Sequence, residues 1–215
     1  MPPCVHDDAC VSWRARCHAD RRSHSLPSPC CSSQVWPPAA CVAGSNDALE
    51  LVKQGALNYT TKAGIPPEKM ILGVPFYGFD YQCINSAPSP TMQVCQIAQV
   101  PYEGAPCSDA AGMPTDYDDI MPLLAKSSTG YKIDHASMTP WFNYIASDGS
   151  VHQVVYDDAG SLMLKYAWAK QTGFGGVGMW NIDSLNWEST DPLIHKQTME
   201  MWNALAVFRN VTHTA

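Results

Sequence analysis

The segment Gly175-Gly-Val-Gly-Met-Trp-Asn-Ile-Asp183 places one large aromatic and two polar side chains directly after a short, glycine-rich apolar run. Trp180 offers a flat apolar face of the kind amphipathic ligands stack on, with the polar side chains of Asn181 and Asp183 beside it. If the run is a strand of a parallel α/β layer, these residues stand at its C-terminal end, where ligands of that architecture bind. Upstream, Met70-Ile-Leu-Gly-Val-Pro-Phe-Tyr-Gly78 repeats the design, ending on Tyr77 and Gly78. Asp157-Asp158 reads as a turn and helix cap rather than a catalytic pair, since adjacent residues rarely aim both carboxylates at one atom. His152 and His195 stand alone in the sequence and read as structural or exposed.

Both strand-like runs follow a helical pattern. Asn46 to Glu50 resembles a capping box, and Leu49, Val52, Ala56 and Tyr59 then recur on one helical face until Gly64 and Pro66-Pro67. The strand expected over Met70–Phe76 is apolar throughout, as in a strand covered on both faces. His152–Tyr156 is a further expected strand. A helix follows over about Ser161–Gln171, with Leu162, Tyr166 and Ala169 on one face, Leu164 and Trp168 on another, and Gly173 as its stop. A last helix takes Asp191 as N-cap and Pro192 in its first turn, with Met199, Trp202 and Ala206 as its inner stripe. The order helix, strand, insertion, helix, strand, helix predicts a parallel α/β layer.

With 215 residues and 46% hydrophobic content the chain can bury a core. A net charge of -7 argues against a nucleic-acid surface, which needs clustered Lys and Arg. No run is long and apolar enough to span a membrane, and no signal peptide is recognisable. Seven Trp, nine Tyr and five Phe supply faces on which sugar rings and other amphipathic ligands stack, although most aromatics in any domain are core. Nine cysteines suggest an oxidising compartment, where the sequons at Asn58 and Asn210 would be glycan acceptors. Cys83, Cys95 and Cys107 crowd a turn-rich insertion over about 79–155, expected to carry at least one disulfide, with Cys41 as a fourth candidate and the pairing left open. Residues 1–31 lack periodicity and are expected to form an unstructured leader, with order beginning soon after Trp36. Cys10, Cys17, His18, His24, Cys30 and Cys31 match no paired C-x-x-C framework, so no metal is expected.

The blocks Met70–Cys83, Gly104-Ala-Pro-Cys-Ser-Asp-Ala-Ala-Gly112, Gln153-Val-Val-Tyr-Asp-Asp158 and Gly175–Trp180 resemble, in order and spacing, the C-terminal part of glycoside hydrolase family 18, in particular its di-N-acetylchitobiase type. The resemblance covers about Ser33 to Phe208. It implies that residues 32–215 are the C-terminal part of an incomplete (β/α)8 TIM barrel, holding its last two strands and an α+β insertion. It also implies an N-acetylglucosamine oligosaccharide as ligand, no cofactor, and a lysosomal or secretory location. The missing N-terminal barrel half is a further candidate partner.

By the same resemblance Trp180 is the floor of the subsite for the reacting sugar, Tyr77 helps hold that sugar, and Asp183 is a further candidate contact. Family members often carry Arg two residues after this tyrosine, where this chain has Phe79. The family's nucleophile is the substrate's own N-acetyl carbonyl, and a glutamate in a D-x-x-D-x-D-x-E strand protonates the leaving oxygen. None of Glu50, Glu68, Glu103, Glu188 and Glu200 has an aspartate two residues before it. The chain is therefore expected to lack the general acid and to be inactive alone, or to act as a non-catalytic sugar-binding remnant.

Overall fold

A computed structural model describes residues 40–209. The expected leader, its Cys and His residues, Trp36 and the Asn210 sequon lie outside that range. The elements are α1 (Leu49–Lys62), β1 (Ile71–Pro75), β2 (Tyr77–Gln82), β3 (Met113–Asp116), α2 (Tyr117–Ala125), β4 (Lys132–Asp134), β5 (Thr139–Ile145), β6 (Val151–Tyr156), α3 (Ala159–Thr172), β7 (Gly176–Trp180), α4 (Pro192–Ala204) and α5 (Ala206–Arg209). None of the described helices is long and apolar enough to cross a membrane.

β1 and β7 pair in parallel, Ile71 opposite Gly176 through Pro75 opposite Trp180. Successive side chains of a strand alternate between faces, so Leu72 and Val74 turn toward a core shared with Phe76, Leu162 and Tyr166 of α3, and Met201 of α4. The other face carries Ile71, 72% exposed, and Trp180. The expectation of a strand covered on both faces is thus corrected: an apolar run shows that both faces tolerate burial, while the layer that covers one of them must come from elsewhere.

α3 follows the sequence reading closely. Asp158 accepts from Ser161 N and the Ser161 hydroxyl accepts from Asp158 N, closing a capping box. Gly173 ends the helix at φ +83°, a left-handed conformation that costs glycine little. α1 departs from it: its N-cap is Ala48, with no side-chain capping bond, because Asp47 is drawn to Lys165 instead. Tyr59 is exposed. In α4 Asp191 caps as expected, accepting from Leu193 N and Ile194 N, but the buried stripe is Thr198, Met201 and Ala204. Of the expected stripe of Met199, Trp202 and Ala206, Trp202 packs half-buried against the core, whereas Ala206 is exposed and falls beyond the end of α4, in α5.

The segment between β1 and α3 builds a five-stranded antiparallel sheet in the order β3-β2-β6-β5-β4. Only β6 was legible as a strand beforehand. Gly78 lets β2 close on β6, since a Cβ there would strike Val155 O and lie 2.6 Å from Tyr156 Cβ. One sheet face joins the main core. The other packs with Tyr81, Ile97 and Val155 around two disulfides, Cys41–Cys107 and Cys83–Cys95.

Burial sets an alkaline limit on this fold. Tyr81 is pushed up to about 12 by burial and then by Asp109. Tyr117, Tyr156 and Tyr166 are raised further, chiefly by burial. Above pH 10 the folded chain therefore binds more protons than the unfolded one, and stability falls as pH rises. The phenolate absorbance of these four buried tyrosines should appear together with loss of far-UV circular dichroism in one transition above pH 10; their ionisation in a chain that stays folded would contradict their burial.

Candidate functional site

The parallel register brings the C-terminal ends of β1 and β7 side by side, and Phe76 N donates to Trp180 O at 2.7 Å. Tyr77 is thereby held just beyond the strand position paired with Trp180. The Trp180 side chain is 72% exposed, and its ring stacks on no other aromatic among the described residues. An indole presented this way exposes apolar area that only a ligand or another chain would cover. The peptide joining it to Asn181 is cis. Tyr77 is half-buried, meets Phe79 edge-to-face at 5.9 Å, and has its hydroxyl pKa raised by burial and then by Asp109, Asp47 and Asp157.

Behind Tyr77 lies a buried polar network. Asn46 Nδ2 donates to Tyr77 O at 2.8 Å and to Asp157 Oδ2 at 3.2 Å. Asp157, fully buried, also accepts from Ser161 Oγ and Lys165 Nζ, both at 2.6 Å. The Lys165 ammonium, 1% exposed, lies 3.2 Å from Asp47 Oδ2 as well. Burial raises the Asp157 carboxyl, with Lys165 opposing. The start of α1, the start of α3 and the backbone of Tyr77 are thus joined through one cation. The adjacent aspartates divide the labour: Asp158 caps α3 and accepts from Tyr131 Oη at 2.8 Å, while Asp157 points into the core.

The loop after Trp180 is tied down separately. Asn181 Oδ1 accepts from Ser184 N at 3.0 Å, and Ser184 Oγ donates to Asp116 Oδ1 at 2.7 Å. Asp116 in turn pairs with Tyr77 between β3 and β2. Asp183, a candidate contact or cap, is exposed, and Asn181 does the capping. Asp116, Asp118 and Asp119 bring carboxylate oxygens within 4.8 Å of one another. They sit at the start of α2, where the helix dipole favours negative charge, and burial followed by the like charges of Asp119 and Asp116 raises Asp118. His152 bonds Asp80 Oδ1 through Nδ1 at 2.8 Å and Ser150 Oγ through Nε2 at 3.0 Å, a cross-strand role. His195 is exposed, and Asn58 lies within α1.

Sequence reasoning missed Lys165, Asp116 and Ser184, and read Asn46 and Asp47 only as caps. A lysine on the apolar face of the expected α3 helix was a signal available for the first; Asp116 and Ser184 are 68 positions apart and carried none.

The sequence pattern of the family described as Glycosyl hydrolases family 18 matches residues 32–184. The chain is 41% identical over 173 residues to the di-N-acetylchitobiase of Mus musculus, covering 80% of this chain and 45% of that protein. It therefore spans about half the length of the curated relatives it matches. A chitinase from Rhizomucor miehei superposes with a TM-score of 0.54 at 26% identity, covering 79% of this chain and 49% of that one. YKL-39, solved in the presence of chitooligosaccharides (GlcNAc4), superposes with a TM-score of 0.51 at 21% identity over 71% of this chain and 39% of that one, a likeness of fold alone.

Proposed function

The chain belongs to the glycosyl hydrolases family 18, and from that premise we propose that it is the sugar-holding, C-terminal part of a chitobiase-type hydrolase of N-acetylglucosamine oligosaccharides. The observation that carries this reading is the exposed indole of Trp180 at the C-terminal end of β7, beside Tyr77 at the end of β1. On this reading Trp180 offers its ring to the apolar C–H face of the reacting sugar, Tyr77 contacts that sugar, and Asp183 stands at the rim. β1 and β7 are the last two strands of the family's barrel. The uncovered face bearing Ile71 and Trp180 supports this, because a barrel lining is covered by the strands opposite. A polypeptide supplying those strands is the corresponding protein partner. The disulfides fit a lysosomal or secretory setting.

The whole sequence contains no D-x-x-D-x-D-x-E segment. Without a positioned acid, proton delivery to the leaving oxygen is lost, a contribution on the order of a hundred- to ten-thousandfold in rate. That absence also favours a second reading, in which the chain binds N-acetylglucosamine oligosaccharides without turning them over.

Purified chain is expected to leave a fluorogenic N-acetylglucosamine oligosaccharide uncleaved above background, yet to bind N-acetylchitooligosaccharides by calorimetry. Trp180→Ala should weaken that binding by about tenfold or more, the worth of one lost stacking face, with little change in melting temperature because the side chain is exposed. Turnover that survives purification would mean that another residue supplies the acid. Binding indifferent to Trp180→Ala would remove the site assignment.

A further inference from the structure

A cleft of about 360 Å³, a volume in the range of small-ligand sites, lies between α2 and the first half of α4. Its walls follow from helical spacing. Positions three and four apart share a helix face, so Tyr117, Met121 and Leu124 of α2 line it from one side and Leu193, Ile194 and Gln197 of α4 from the other. Leu193 is 61% exposed, which leaves apolar area open to a ligand. Neither Trp180 nor Tyr77 is part of this lining.

The polar groups of the cleft are rich in acceptors and negative charge. Asp118 and Asp191 both line it. The Asp118 carboxylate lies within 4.8 Å of those of Asp116 and Asp119, and burial followed by the charges of Asp119 and Asp116 raises it. Asp191 uses Oδ1 to accept from Leu193 N and Ile194 N, leaving Oδ2 unbonded among the described residues. Pro122, also in the lining, has no N–H to offer the carbonyl of Asp118 one turn before it. Thr198 gives its hydroxyl proton to Asn186 O at 3.2 Å. Tyr117 is 7% exposed, yet its hydroxyl has no hydrogen-bond partner among the described residues, and after burial it is the charges of Asp158 and Glu200 that raise it. Against these carboxylates stand two helix starts, each worth about half a positive charge, and no Lys, Arg or His lines the cleft. Lys196 of α4 falls outside the lining and lies 3.6 Å from Glu200.

An apolar slot with carboxylates in its lining and no cation of its own is complementary to a molecule with an apolar body and one positive charge. The body covers Met121, Leu124 and Leu193, while the charge finds acceptors in Asp118, Asp191 and the Tyr117 hydroxyl. A hydrated metal ion would leave the walls bare, and an anion would meet the carboxylates. We propose that the cleft between α2 and α4 binds a small amphipathic amine, an alkyl- or arylammonium, at a site separate from the oligosaccharide site.

Calorimetric titration of the full chain with 2-phenylethylammonium, and with 2-phenylethanol as its uncharged counterpart, tests this. The ammonium should bind about tenfold more tightly than the alcohol, because only the ammonium makes charge-assisted hydrogen bonds. Asp118→Asn should remove most of that difference and leave the alcohol within about twofold. Ala125→Trp, which fills the cleft from an exposed position, should weaken both about tenfold or more and guards against an effect of Asp118→Asn on the fold of α2. Both variants should bind N-acetylchitooligosaccharides as the unaltered chain does; a parallel loss of sugar binding would overturn the separateness of the site. Ammonium binding that is absent from the unaltered chain, equalled by the alcohol, or indifferent to both substitutions would overturn the site itself. An amphipathic leucine–lysine peptide that binds where the amine does not would overturn the small-molecule assignment, since the cleft would then be a docking groove.

Discussion

Lys165→Met is expected to lower the unfolding free energy by about 3–5 kcal/mol, the cost of stripping a buried ion pair of one partner. Lys165 is 1% exposed and Asp157 fully buried, so the orphaned carboxylate would retain only Ser161 and Asn46 as hydrogen-bond donors. Asp157 is already raised by burial against the opposing effect of Lys165, and removing the ammonium raises it further. A carboxyl whose folded pKa lies above its unfolded value costs stability as pH rises from that unfolded value through the folded one. The variant should therefore be more stable at pH 5 than at pH 7. Urea denaturation at both values would show it. A loss under about 1 kcal/mol, or one independent of pH, would mean that the network contributes little. Adding Asp157→Asn to Lys165→Met should recover part of the loss, since no buried charge then remains unpaired. The consequence reaches the site, because Asn46 links Asp157 to the backbone of Tyr77.

Replacing Cys41 and Cys107 together by alanine is expected to cost about 4 kcal/mol, from the loop entropy that the bridge removes from the unfolded chain. The separation of 66 residues is what makes it large. The Cys83–Cys95 bridge, with a separation of 12, should contribute about 3 kcal/mol by the same argument. Chemical denaturation of the two double variants under oxidising conditions would rank them. The reverse order would show that local packing outweighs chain entropy here. The longer bridge also anchors the start of the described chain: Ile97 N donates to Cys41 O and Ala43 N to Cys95 O, each at 2.9 Å. Its loss should loosen the segment that carries Asn46 and Asp47 before it affects β1 or β7.

The parallel pair and the helices that flank it could be read from the chain because their signals are local. The α3 helix has a stop glycine, a cap aspartate and an apolar face within a short stretch, and the structure repeats them nearly residue for residue. β1 and β7 announce themselves as apolar runs that end in an aromatic. The five-stranded sheet was mostly illegible. β2 continues almost without a break from β1, β4 is only three residues long with Ile133 exposed, and β5 shows no clean alternation, because both its faces carry apolar residues that pack on separate cores. In α1 a local capping signal was overridden by a distant lysine.

The sequence by itself determined the alternation of helix and strand, the placement of Tyr77 and Trp180 at strand ends, the candidate cysteines and the kinship with family 18. These depend on residue order and on periods of a few positions. Only the tertiary structure decided which cysteines pair, that Lys165 joins Asp47 to Asp157, that Ser184 ties the Trp180 loop to Asp116, and that Asp118 and Asp191 line one cleft. Each of those facts joins residues far apart along the chain, and chain order sets no distance between them until the sheets and helices have packed.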